Sequence, residues 1–219
     1  MICGAISSTA IPALQMSDQV GWARQTMNDF SIEYLPVIEE NIFKGIIHLD
    51  DLDDANDNQH VADLSAHFFI HVVQEEDFFL TALKLMHEHN IYLLPVLNQA
   101  GDYTGSITRQ VIIETVSTYL SAGEPGGIII LQMPPHQFSI SELGRIIESN
   151  NAKILHLTTW TDRATGELMV SMKLNKFDIH DILASFERYQ FTVSRYFGEN
   201  LSEDTLKNNF DHLMNYLKL

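Results

Sequence analysis

The residues of this 219-residue chain whose type and spacing could do chemistry are its ten histidines and one run of carboxylates. His87-Glu88-His89 puts two imidazoles at i and i+2, on opposing sides of a helix, so they do not converge on one metal ion. His67 and His71 are spaced by four and would share a helical face, but Phe68-Phe69-Ile70 between them reads as strand. His156 and His180 have no partner at ligand spacing, and all of these read as surface or core histidines. The run Asp50-Asp51-Leu52-Asp53-Asp54-Ala55-Asn56-Asp57-Asn58 has the ligand type for calcium. Its carboxylates miss the EF-hand spacing and no Glu closes the loop, so it reads as a solvated helix end and connection. Cys3 is the only cysteine. No internal disulfide can form, and Cys3 reads as a small residue near the start of a strand. No Gly-x-Ser-x-Gly elbow, Walker loop, dinucleotide glycine fingerprint or His-Glu-x-x-His occurs, so the chain is expected not to be an enzyme.

Charge narrows the partners. Thirteen basic and 29 acidic side chains give a formal charge of −16, and nucleic-acid binding needs a basic footprint that is missing here. No run of about eighteen apolar residues occurs, so no membrane span is expected. The start, Met1-Ile2-Cys3-Gly4-Ala5, has no basic region of the secretory kind, which together with the single cysteine points to the cytoplasm. Residues 1–123 carry four basic and seventeen acidic side chains, so 4 − 17 = −13; residues 124–219 carry nine and twelve, so 9 − 12 = −3. The step coincides with the breaker-rich segment Ser121-Ala122-Gly123-Glu124-Pro125-Gly126-Gly127, which marks a domain boundary.

The first part is written twice. Val20, Ala23 and Met27 answer to Phe79, Ala82 and Met86; Tyr34-Leu35-Pro36-Val37 to Leu93-Leu94-Pro95-Val96; and Gly45-Ile46-Ile47-His48 to Gly105-Ser106-Ile107-Thr108. The offset is 86 − 27 = 59 at the Met pair and 105 − 45 = 60 at the Gly pair. Each copy predicts a helix started by Ser17 or Asp18 or their counterparts, a hairpin with its proline at a strand edge or start, and a second helix. Each has an apolar face it cannot bury alone, so the copies must pack on one another and leave clefts at the seam.

On those residues, order and spacing, residues 1–121 resemble a tandem pair of cystathionine-β-synthase-type (CBS) domains, one over 1–60 and one over 61–121. The resemblance implies two β-α-β-β-α repeats that bind adenosine compounds and regulate an attached or partner protein. Its motif is Gly, two apolar residues, Thr or Ser, two variable residues, then Asp. In the family the Gly permits close backbone approach to the ligand, the hydroxyl and helix N-terminus hold phosphate, and the Asp takes both ribose hydroxyls. Here the first copy has Gly45 and Asp51 with His48 in the hydroxyl position, and the second has Gly105, Thr108 and adjacent Arg109 with Val111 in place of the carboxylate. Backbone near Pro36 and Pro95 lines the adenine pocket in the family. AMP or another weakly charged adenosine derivative is the implied ligand, because the formal −13 disfavours more highly charged nucleotides. His48 would donate to an anion when protonated, making binding pH-dependent. The alternative is that Asp51 and Thr108 cap helices and the clefts are closed.

Beyond the boundary the order is strand 127–132, helix from the capping box Ser139-Ile140-Ser141-Glu142, strands 153–161 and 168–174, a helix through Ile179, Ile182, Leu183 and Phe186, and a last strand 191–195. This βαββαβ order predicts a ferredoxin-like unit, making the chain α/β (α+β) as a whole. By order and length, residues 127–197 resemble an ACT domain, the small-ligand regulatory module. The combination also resembles acetoin-utilisation-type bacterial CBS proteins. Leu206, Phe210, Leu213, Met214 and Leu217 predict an amphipathic tail helix over 198–219. Three roles stand at this stage: an adenosine-sensing regulator, a ligand-free dimerisation scaffold, and an amino-acid sensor acting through the loop Met133–Ser139. A homodimer is what the family resemblance implies for the first two.

Overall fold

The computed structural model describes residues 1–198, which divide into one compact unit over Met1–Tyr119 and a second from Leu120 onward. The expected tail helix over 198–219 lies, save for Gly198, outside the described residues.

In the first unit the chain runs α1 (Cys3–Ile6), β1 (Leu14–Gln15), α2 (Val20–Phe30), β2 (Tyr34–Glu39), β3 (Ile42–His48), then β4 (Val73–Gln74), α3 (Phe79–His89), β5 (Leu93–Leu97), β6 (Tyr103–Thr108) and α4 (Arg109–Tyr119). Two three-stranded sheets result, β1-β2-β3 and β4-β5-β6, each with a parallel first pair and an antiparallel second pair. The repeat is kept in detail. Both hairpins carry a register shift, at Val37/Ile38 and at Val96/Leu97. Helices α2 and α3 each stop at a left-handed residue, Ser31 (φ 53°) and Asn90 (φ 51°). The expected faces are buried: Val20, Ala23 and Met27 on α2, and Phe79, Ala82 and Met86 on α3. Each large side chain taken out of water there contributes on the order of 1.5–3 kcal/mol.

Exchange of leading segments joins the copies. Ser8, ahead of the first repeat, bridges Ser106 of the second; Phe69, ahead of the second, bridges Ile46 of the first. Val61 and Leu64 accordingly sit in the first core, and Cys3 in the second. Cys3 therefore lies on a short helix rather than at a strand start, held by its N–H to the Asp77 carbonyl at 2.8 Å.

Four local expectations are corrected. Asp18 and its counterpart Asp77 do not cap helices; each accepts the N–H of a residue before it, Gln15 at 2.7 Å and Gln74 at 2.8 Å. The free N–H groups of α2 instead reach carbonyls of the crossing chain, Val20 to Gln59 at 2.9 Å and Gly21 to Asp57 at 3.0 Å. The second helix of the first repeat is replaced by 3-10 turns over Leu49–Leu52 and Val61–His67. Adjacent like charges and the low helix propensity of Asp and Asn account for that. Pro36 and Pro95 lie inside β2 and β5, opposite Ile46 and Ser106, but their other sides precede the short β1 and β4 pairings, so no ladder bond is lost. Of the capping box in the second unit only half forms, with Ser139 Oγ accepting the Glu142 N–H at 3.4 Å.

The second unit is β7 (Ile128–Met133), α5 (Ile140–Ser149), β8 (Ile154–Thr161), β9 (Leu168–Leu174), α6 (His180–Arg188) and β10 (Thr192–Phe197). Its sheet order β10-β7-β9-β8, antiparallel throughout, is the ferredoxin-like arrangement. Alternate residues of β7 and β9 (Ile129, Leu131, Val170, Met172) meet Leu143, Ile146, Ile182 and Phe186 of the helices in one core.

Candidate functional site

At the seam of the first unit, residues of both repeats line a shallow, open hollow of about 380 Å³. Its walls are Tyr34 from β2, His48 at the end of β3, Asp51 in the following 3-10 turn, His67, Phe69 and His71 from the exchanged segment, and His89 and Ile91 from the end of α3. The aromatic side is built around Tyr34. Its ring centre lies 4.6 Å from that of His48, 6.0 Å edge-on from Phe69 and 6.0 Å edge-on from Tyr92. Burial, and next the Glu33 carboxylate, push the Tyr34 phenol above its ordinary pKa. His71 and His89 stack with ring centres 3.9 Å apart and planes 28° apart. Burial, and then His89, hold the His71 imidazole below its ordinary pKa.

Two of the residues singled out by the sequence meet here, His48 and Asp51. They are tied to each other: Asp51 Oδ2 accepts the His48 N–H at 3.0 Å, and His48 Nδ1 accepts the Asp50 N–H at 3.1 Å. With Nδ1 accepting, the neutral ring carries its proton on Nε2, which lies 4.0 Å from Glu33. The second oxygen of Asp51 lies 3.7 Å from His67 Nδ1 and faces the hollow with hydrogen-bonding capacity left.

The other six lie elsewhere. Gly45 is under the exchanged segment, where a Cβ would fall 2.6 Å from Phe68 Cβ. Gly105 sits against Ser8, whose carbonyl oxygen would be 3.1 Å from such a Cβ. Close approach at both glycines is thus to protein, not to a ligand. Thr108 Oγ1 accepts the Val111 N–H at 3.3 Å and so caps α4. The Arg109 guanidinium lies 3.6 Å over the Tyr92 ring. Pro36 and Pro95 are buried mid-strand and do not line the hollow.

Within the acidic run, Arg24 donates to the carbonyls of Leu52 and Ala55 and to the Asp57 carboxylate, which ties the connection to α2. Among the described residues no group of three or more His, Cys, Asp or Glu side chains could hold a metal ion, and no helix is long and apolar enough to cross a membrane. In the second unit the Met133 loop borders a smaller hollow of about 160 Å³, where Gln132 is bonded to Glu167. A wider hollow of about 590 Å³ there has only Glu148 and Lys153 as charged walls, opposite in sign.

Sequence reasoning missed Tyr34, Phe69, His71 and His89. The available signal was the repeat itself. Once leading segments are seen to exchange, Phe69 and His71 must fall beside the first copy's second strand, not their own.

Comparison with known proteins follows the same lines. No curated protein matches this sequence. Among solved structures the chain is similar to a CBS domain pair/ACT domain protein from Thermotoga maritima, at 22% identity and a TM-score of 0.51, over 55% of this chain and 99% of that one. It is also similar to the soluble part of a magnesium transporter (21% identity, TM-score 0.47, 54% of this chain and 48% of that one). A third is CBSX2 in complex with AMP (19% identity, TM-score 0.46, 54% and 97%). At these identities the likeness is one of fold. A family model described as CBS domain matches residues 3–57 and again 61–118, and on that repeated match the chain belongs to the CBS domain family.

Proposed function

We propose that this protein is a non-catalytic regulator whose first unit senses an adenosine-type ligand, AMP or a less charged derivative, in the hollow beside Asp51. One observation carries the reading: a carboxylate with free capacity stands at the edge of an aromatic-walled hollow made by both repeats. Asp51 would accept from the ribose hydroxyls, and Tyr34 and Phe69 would contact the base. Ligand spanning the two repeats would favour one relative packing of them, which is the regulatory output. In this reading the repeats are residues 1–60 and 61–121, residues 127–197 are an ACT-like unit that receives or passes on a second signal, and the protein works in the cytoplasm, where adenosine compounds act as signals. Exposed Leu80 and Leu83 on α3 and Ile113 on α4 support a homodimer joined through those helices.

A scaffold without ligand is the second reading. The spent groups of the other half-motif favour it, with Thr108 capping α4 and Arg109 stacked on Tyr92. Thermal shift and calorimetry with adenosine, AMP and 2′,3′-dideoxyadenosine separate the two. The sensor reading expects adenosine and AMP to raise the melting temperature, dideoxyadenosine to bind about tenfold or more weaker, and Asp51→Ala to remove that preference. Silence across the whole panel would leave the scaffold.

A further inference from the structure

The first unit has four lysines and arginines, and none lines the hollow, although the field of Arg109 reaches Tyr34. Arg24 is bound to the 52–57 connection, Lys44 pairs with Glu39 at 2.7 Å, Lys84 with Glu88 at 3.8 Å, and Arg109 lies on Tyr92. The titratable walls are Tyr34 from β2, His48 from β3, Asp51 and His67 from the two 3-10 turns, His71 from the exchanged segment and His89 from α3. Glu33 and Asp50 stand beside His48, and Asp51 already faces His67. The lining of the hollow therefore holds one carboxylate and no lysine or arginine.

This histidine content belongs to one side of the repeat only. Helix positions are related by 59, second-strand positions by 60 and leading segments by 69 − 8 = 61. His89 then corresponds to Phe30 (89 − 59), His48 to Thr108 (48 + 60) and His67 to Ile6 (67 − 61), and His71 falls within Ala10–Pro12, where the offset passes from 61 to the 73 − 14 = 59 of β4 and β1. Ala10–Pro12, Phe30 and Ile6 cannot titrate, so packing of the repeat does not itself call for imidazoles.

We propose that the stacked His71–His89 pair is a proton-operated anion subsite: a nucleotide's phosphate enters with uptake of a proton by the pair, whereas an unphosphorylated nucleoside enters at any pH. The proposal rests on the adenosine reading above and adds to it which ligand the site takes and when. The physical reason is charge balance. Two rings 3.9 Å apart take up two protons only against mutual repulsion. A phosphate beside them supplies the counter-charge that keeps a proton on the pair, and it cannot settle beside Asp51 without one. Stacking also argues against a metal, since imidazole lone pairs lie in the ring planes and nearly parallel planes do not aim them at one ion.

The test is calorimetry of AMP and of adenosine from pH 5.5 to 8, in buffers of different ionisation heat, on the full chain and on a His71→Gln/His89→Gln variant. Expected for the unaltered chain is uptake of about one proton with AMP, and an AMP affinity that falls up to about tenfold per pH unit around pH 6.5. Adenosine affinity should stay level. The variant's fold is certified by a cooperative denaturant transition like that of the unaltered chain, and it should lose that fall, leaving only the titration of the phosphate itself. His89→Gln alone serves if the double variant does not fold. Identical AMP profiles in both proteins, with adenosine bound by both, would overturn the subsite and leave the adenosine reading standing. Failure of both ligands at every pH would overturn the two together.

Discussion

Gly45→Ala tests whether the exchanged segment sets the wall of the hollow. A Cβ at this position would lie 2.6 Å from Phe68 Cβ and 3.2 Å from Phe68 Cγ. Carbon atoms rest at about 3.5–4.0 Å, so the segment or β3 must move by about 1 Å. Overpacking of this kind costs about 1–3 kcal/mol, and with Gly45 at φ 159° the stiffer unfolded chain gives no net return. The expected loss is about 1–3 kcal/mol, which is several degrees in melting temperature for a unit of this size. Phe69, next to the displaced residue, bridges Ile46 and contacts Tyr34, so adenosine binding should weaken alongside stability. Denaturant unfolding of Gly45→Ala, Phe68→Gly and the double variant reads out the coupling. The alanine at 45 should cost less once the Phe68 Cβ and ring are gone, by about 0.5 kcal/mol or more. Equal cost in both backgrounds, or an unchanged midpoint for Gly45→Ala, would refute the argument that this glycine exists for the crossing segment.

Gly126→Ala should be worse, above about 3 kcal/mol in the second unit, because its Cβ would fall 1.7 Å from the Leu174 carbonyl oxygen, which β-strand backbone cannot yield; chemical denaturation measures it. The Cys3 thiol is pushed up to about 11, by burial first and the Asp77 carboxylate next, so a thiol reagent at pH 8 should label the native protein only as fast as it opens and should react at once in denaturant. Since folding lowers the His71 pKa, the unfolded chain binds a proton at about pH 6.5 where the folded chain does not; stability should fall as pH drops below about 6.5, and His71→Gln should flatten that part of the curve in pH-dependent denaturation. Arg24→Met should lower the melting temperature, and millimolar calcium should not restore it, because the Leu52 and Ala55 carbonyls lose a hydrogen-bond donor rather than a metal site.

The duplicated unit and the order of the second unit were legible in the sequence because each is written in local pattern. Val20-Ala23-Met27 against Phe79-Ala82-Met86 is a helical face repeated at one offset, and alternation along 168–174 marks a strand whatever it pairs with. Local pattern also misled where neighbours decide the outcome. Asp18 has the look of a helix cap, yet crossing-chain carbonyls satisfy the helix and leave the carboxylate to close the turn before it. Phe68-Phe69-Ile70 reads as strand, yet only Phe69 pairs, and it pairs with the other repeat. The site belongs to this second kind of information. Periodicity reports which side of an element is apolar, but it holds nothing about which distant segment will lie across it. His48 and Asp51, three residues apart, could be placed together from sequence. His71 and His89, eighteen apart and on different elements, meet at 3.9 Å only because the leading segments exchange between repeats, and that exchange is chosen by the total burial of two cores rather than by any one stretch of chain.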